Sequence, residues 1–115
     1  MKPDKVQLIK ERINMSWATH YITKLSQGEN VTFRPKGNSM QPKIKSGQLC
    51  AVESINDHST LKVNDIVLCK VKGNQYLHLI SALDKDKFQI SNNKGFVNGW
   101  INKTAIYGKL AKVTD

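Results

Sequence analysis

Gly37-Asn38-Ser39-Met40-Gln41-Pro42-Lys43-Ile44-Lys45-Ser46-Gly47 is the stretch on which the reading of this chain turns. Pro42 fixes its own φ, lacks an amide donor and pushes Gln41 towards extended geometry. Gly37 and Gly47 leave the backbone free on either side. The expectation is a stiff loop that holds one hydroxyl, that of Ser39, in a defined place. Taken alone, these residues allow two readings: a polar surface loop in which Ser39 caps a turn, or a loop built to present Ser39. The flanking sequence has to decide.

Upstream, Val6, Ile9, Ile13, Trp17, Tyr21 and Leu25 recur at three- and four-residue steps, with Ala18 and Ile22 widening the stripe. This periodicity predicts a helix over 4–26, with Asp4 as cap, Gln7 three positions on and Gly28 beyond its end. The stripe is a core-packing face or, in part, a surface for self-association. After Gly28 the period changes to two. Strands are predicted at Val31–Phe33, Leu49–Ile55, Ile66–Val71, Tyr76–Leu83, Phe88–Ser91 and Ala105–Val113. Short strands between turn residues indicate a mainly β (β-rich α+β) domain with an antiparallel sheet and one N-terminal helix. One helix is too few for a helix-turn-helix.

Gly73-Asn74 predicts a two-residue hairpin loop of type II′. Lys72 then faces Gln75, Val71 faces Tyr76 and Cys69 faces His78. One face of this hairpin carries Val67, Cys69, Val71, Tyr76, His78 and Ile80, so His78 lies on a largely apolar face and Lys70 points away from it. Such a histidine is a satisfied core residue unless Ser39 lies on the same side.

The 115 residues fit one domain, 1–115, and 39% hydrophobic with 23% charged residues is ordinary for a chain that folds around one core. No apolar run approaches the ~18–20 residues of a membrane span. The opening Met1-Lys2-Pro3-Asp4-Lys5 does not lead into an apolar signal segment. Cys50 and Cys69 match neither a zinc pattern nor a disulfide framework and sit in strand-like contexts, so a reduced, cytoplasmic compartment is expected, with no metal or cofactor. Eighteen Lys+Arg against nine Asp+Glu give a net charge of +9, which would attract an acidic protein partner or nucleic acid. The lysines are spread along the chain and no aromatic RNA-binding motif accompanies them.

With these segments together, the chain resembles the LexA/type I signal peptidase superfamily of serine proteases. Gly37-Asn38-Ser39-Met40-Gln41-Pro42-Lys43-Ile44-Lys45-Ser46-Gly47-Gln48-Leu49 is similar to its G-x-S-M-x-P-x-I-x-x-G-D-x-V nucleophile motif. Val63-Asn64-Asp65-Ile66-Val67-Leu68 is similar to its G-D-I-V strand. Tyr76-Leu77-His78-Leu79-Ile80 falls on the strand where many members carry a lysine base and some carry histidine. Ile90-Ser91-Asn92-Asn93 resembles the D-N segment, and Ile106-Tyr107-Gly108-Lys109-Leu110 the closing I-x-G-K-V strand. The resemblance runs over 31–113 in order.

It implies a peptidase-like β domain in which Ser39 is the nucleophile and His78 the general base. An imidazole titrates near neutrality without the desolvation that a lysine base requires. Gly37, Met40 and Pro42 would support the loop, and the Ser39 amide with a neighbour would form an oxyanion hole. The chain departs from the family at Gln48, where aspartate is usual, at Leu79, where histidine-type relatives carry arginine, and at Ser91-Asn92-Asn93, where they carry an acid. Asn93 is a candidate for orienting the imidazole. Trp100 is expected either to cover the core as a lid or to line a peptide groove, and Asn98-Gly99 is a hairpin-turn signal. The expected function is cleavage of a peptide bond in a protein substrate, acting in trans. The alternative is an inactive peptidase-fold module that binds an acidic protein or nucleic acid, and a homodimer through the Trp17 stripe or an edge strand is a further expectation.

Overall fold

The computed structural model describes residues 17–115. A single described helix, α1 (Thr19–Ser26), precedes seven strands: β1 (Val31–Phe33), β2 (Leu49–Ser54), β3 (Ile66–Val71), β4 (Asn74–Asp84), β5 (Lys87–Ser91), β6 (Val97–Asn102) and β7 (Ile106–Thr114). They form one sheet in the order β1-β2-β7-β3-β4-β5-β6, every neighbouring pair antiparallel. The mainly β architecture with one helix is the one the sequence predicts.

The predicted helix over 4–26 ends where expected, at Ser26, followed by Gly28 with φ +84°. The amides of Gln27 and Glu29 both reach back to the Lys24 carbonyl, which closes the last turn. The Asp4 cap and the stripe positions Val6, Ile9 and Ile13 lie outside the described residues. Trp17 and Ala18 form a turn ahead of α1. Gln75, at the start of β4, fastens that turn. Its side-chain oxygen accepts from the Ala18 amide at 2.6 Å, its amide nitrogen donates to Thr19 Oγ1 at 3.0 Å, and its carbonyl accepts from Trp17 Nε1 at 3.2 Å.

The hairpin between β3 and β4 differs from expectation by one residue in its turn. Val71 pairs with Asn74 and Val67 with His78, so Lys72-Gly73 is the loop and Asn74 opens β4. Lys72 (φ 52°) and Gly73 (φ 84°) both take left-handed conformations, the pattern of a type I′ turn, whose twist matches that of the strands. Gly73 therefore serves the second turn position and not the first. Moving the turn by one residue shifts each pairing by two, and side chains alternate with period two. The faces consequently stay as predicted, with His78 beside Tyr76 and Ile80, although its cross-strand neighbour is Val67 and not Cys69.

The sheet serves two apolar clusters. Ile66 and Leu68 point to one, shared with Ala18, Ile22 and Leu25 of the helical segment. Val67, Cys69 and Val71 point to the other, between β3 and the β4–β6 strands, with Ile80, Ile90 and Ile101. Because both faces of β3 are covered, its residues are almost continuously buried. The thiols of Cys50 and Cys69 lie in these clusters, and burial pushes that of Cys69 up to about 12. A thiol so held stays protonated and is no nucleophile.

A strand not expected from the sequence is β6. Val97–Asn102, including Asn98-Gly99, is extended and not a hairpin turn. Gly99 has φ +149°, and a Cβ there would sit 3.0 Å from Val71 Cγ1. Glycine is thus what allows β6 to come this close to β3. Gly108 on β7 has the same role under the helix. A Cβ would meet Val52 Cγ1 at 2.7 Å, Leu25 Cδ1 at 2.9 Å and the Glu53 carbonyl at 3.0 Å. Gly108→Ala is expected to destabilise the fold by about 1–3 kcal/mol through overpacking, read as a lower urea midpoint at unchanged slope.

Candidate active site

The Ser39 loop is closed at its neck by two hydrogen bonds. The Gly47 amide donates to the Pro35 carbonyl at 2.8 Å, and the Gly37 amide donates to Ser46 Oγ at 3.1 Å. Gly37 (φ +114°) and Gly47 (φ +86°) supply the left-handed conformations that this neck requires. Within the loop, Gln41 N reaches Asn38 O and Ile44 N reaches Met40 O. Met40 and Ile44, 5% and 4% exposed, anchor it in the apolar cluster beneath the helix. Each such burial contributes about 1.5–3 kcal/mol, which is why methionine and isoleucine flank Pro42 at this spacing. Gln48 accepts from the Lys45 amide at 2.7 Å and donates to Asp115 at 2.8 Å, holding the loop's exit.

The loop leaves the Ser39 hydroxyl 3.1 Å from Nε2 of His78. The imidazole is 7% exposed, stacked on Tyr76 with centroids 4.7 Å apart. Its other nitrogen, Nδ1, lies 2.8 Å from Oδ1 of Asn98. An amide oxygen only accepts, so Nδ1 carries the proton of the neutral ring and Nε2 is left to accept from Ser39. Burial pushes the His78 pKa below its ordinary value, and the hydrogen bond that Nδ1–H donates to Asn98 opposes this without cancelling it.

The position of Asn98 follows from an irregularity in β6. Ile90 pairs with Gly99 and Ser91 with Val97, so Asn98 is the extra residue of a bulge. A bulge re-aims the side chain that it carries, here onto His78. Asn93, the residue expected to orient the imidazole, does something else. Its amide donates to the Ser39 carbonyl at 2.9 Å and its side chain donates to the Gln41 carbonyl at 2.9 Å. The preceding Asn92 accepts from the amides of Lys94 and Phe96, and this turn sets Asn93 over the Ser39 loop. Trp100 is 46% exposed on β6, opposite Gln89, and neither covers the core nor lines the groove described below. The sequence did carry a signal for Asn98: a glycine within a β-prone run, Val97 to Ile101, marks a bulge or close approach as well as a turn.

The Ser39 and Met40 amides donate to no group among the described residues. A groove of about 530 Å³ opens from Ser39 and His78. One wall is the extended segment from Phe33 to Gly37, and the other is β4 from Gln75 to His78. Tyr21 stacks on Phe33 at 4.5 Å at the far end, with Trp17 edge-on to Phe33 at 5.5 Å. No helix among the described residues is long and apolar enough to cross a membrane.

The family described as Peptidase S24-like matches residues 5–111. Comparison with curated proteins and with solved structures gives no match.

Followed by NMR, the His78 imidazole should titrate below the ordinary histidine value, and in Asn98→Ala lower still, because the hydrogen bond that favours the charged ring is gone. With its folded pKa depressed, His78 contributes stability that is present above the unfolded value and lost as pH falls through the folded one. Asn98→Ala should also cost about 1–3 kcal/mol, since it leaves Nδ1–H buried without a partner.

Proposed function

The chain belongs to the Peptidase S24-like family, and from that premise we propose that it is a serine peptidase that cleaves a peptide bond in a protein substrate with Ser39 as nucleophile and His78 as general base. The observation that carries this reading is the run of hydrogen bonds from Ser39 Oγ through His78 to Asn98, at 3.1 and 2.8 Å. Nε2 takes the hydroxyl proton as Oγ bonds to the scissile carbonyl carbon. The imidazolium then passes that proton to the departing amine as the C–N bond breaks. Water, deprotonated by the same nitrogen, releases the acyl group from Ser39. The amides of Ser39 and Met40 are the donors available to the oxyanion, a contribution of about 10²–10³ in rate per donor in other acyl-transfer enzymes.

Asn98 is a positioning residue. It fixes the tautomer and ring orientation but brings no negative charge to stabilise the imidazolium, in contrast to an aspartate. The His78 pKa, held down by burial, keeps the base neutral to lower pH than a solvent-exposed histidine would be.

A fluorophosphonate probe tests the proposal. Wild-type protein should be labelled at Ser39, with labelling lost in Ser39→Ala and lowered by roughly 10⁴-fold or more in His78→Ala. Equal labelling of wild type and Ser39→Ala would defeat it. The rate of labelling should rise with pH to a plateau, with its midpoint below the ordinary histidine value. Asn98→Asp should move that midpoint upwards, because a carboxylate favours the imidazolium.

A further inference from the structure

The groove that leads to Ser39 has a charge pattern that the proposed chemistry does not require. Arg34, Lys36 and Lys45 line it, and none of its lining residues is Asp or Glu. Arg34 commits its guanidinium to the carbonyls of Gly47 and Asp115, at 2.9 and 3.2 Å. Among the described residues the ammonium groups of Lys36 and Lys45 have no such engagement. The ion pair among the described residues is Lys109 with Asp65, on another part of the surface. Two exposed ammonium groups therefore stand over a groove that no acidic side chain lines among the described residues. Its floor is the opposite in character, formed by Phe33, Met40 and Ile44, all less than 9% exposed, beside Tyr21. An apolar floor keeps water out and strengthens the field of the charges above it.

Resting on the reading of Ser39 as nucleophile, we propose that the groove selects an extended protein segment in which a bulky apolar residue is bordered by acidic ones. The apolar side chain packs against Tyr21, Phe33, Met40 and Ile44, and the carboxylates pair with Lys36 and Lys45. The segment's charge complements the groove, and a volume of about 530 Å³ suits a few side chains and not a folded surface. A nucleic acid would use the same lysines for its phosphates and Trp17, 40% exposed at the groove, for stacking, but the apolar floor of Met40 and Ile44 suits an aliphatic or aromatic side chain better than a base.

The test is a binding measurement on Ser39→Ala protein, in which a bound peptide is not turned over. Fluorescence anisotropy would compare three short labelled peptides: one alternating Glu and Phe, one alternating Lys and Phe, and one alternating Glu and Gly. The Glu-Phe peptide should bind about tenfold or more tightly than either control, and less tightly as salt rises. In the same background, Lys36→Glu combined with Lys45→Glu should reverse the order of the Glu-Phe and Lys-Phe peptides. Both lysines are exposed, so the reversal should leave the thermal midpoint near the unsubstituted value. Equal binding of the three peptides would overturn the proposal, as would a preference for Glu-Phe that survives the reversal. Tighter binding of a single-stranded oligonucleotide through the same lysines would overturn it in favour of nucleic acid. Failure of Ser39 to label, with the peptide preference intact, would instead remove the nucleophile and leave the selectivity standing.

Discussion

A buried imidazole has to satisfy both of its nitrogens, and the architecture around His78 is organised by that requirement. Leaving either nitrogen unpaired would carry the desolvation cost of a polar group without return. On one side the partner is Ser39, delivered by a loop whose neck is tied by Gly47 to Pro35 and by Gly37 to Ser46. On the other side it is Asn98, delivered by a bulge in a strand that glycine allows to lie close to Val71. The strand order, the bulge and the loop anchors Met40 and Ile44 all serve one ring.

The amide in the third position has an electrostatic meaning. An aspartate there would raise the basicity of the imidazole and stabilise it once protonated. Asparagine supplies direction without charge, so the basicity of His78 is governed mainly by burial. In the proposed mechanism Ser39 is paired with a weaker base that is neutral to lower pH. That balance sits in a chain whose groove is itself positive, where a protonated imidazole would add to charges already facing it.

What the sequence disclosed, and what it did not, divides along a physical line. The Ser39 loop was legible because its demands are local: proline for stiffness, glycine for left-handed backbone, two apolar anchors. The placement of His78 was legible for a different reason. The hairpin turn lies one residue earlier than expected, yet a period-two structure keeps a side chain on its face when pairings shift by two. Asn98 was legible only through an ambiguous signal, since Gly99 in a β-prone run marks a turn, a bulge or a close approach alike. Its role comes from an unpaired residue between Ile90/Gly99 and Ser91/Val97 and from the proximity of β3, both tertiary facts, and its neighbour Gly99 carries the same letter whether it turns a chain or lets two strands touch. Asn93 was identified as functional by position, but it acts on the backbone of the Ser39 loop and not on the ring. Trp100, expected to cover the core or line a groove, lies half in solvent.

The double hold of Asn93 on the Ser39 and Gln41 carbonyls has a mechanical consequence. Asn93 and Asn98 belong to one short excursion that leaves β5 and runs into the start of β6, one gripping the loop that carries the hydroxyl, the other gripping the ring that lies against it. A displacement of that excursion carries both grips in the same direction. Reactive atoms referenced to a common support keep their separation to first order when the support moves, as two instruments on one optical bench stay aligned when the bench is jolted. Such common mounting protects the 3.1 Å contact better than stiffness in either element alone.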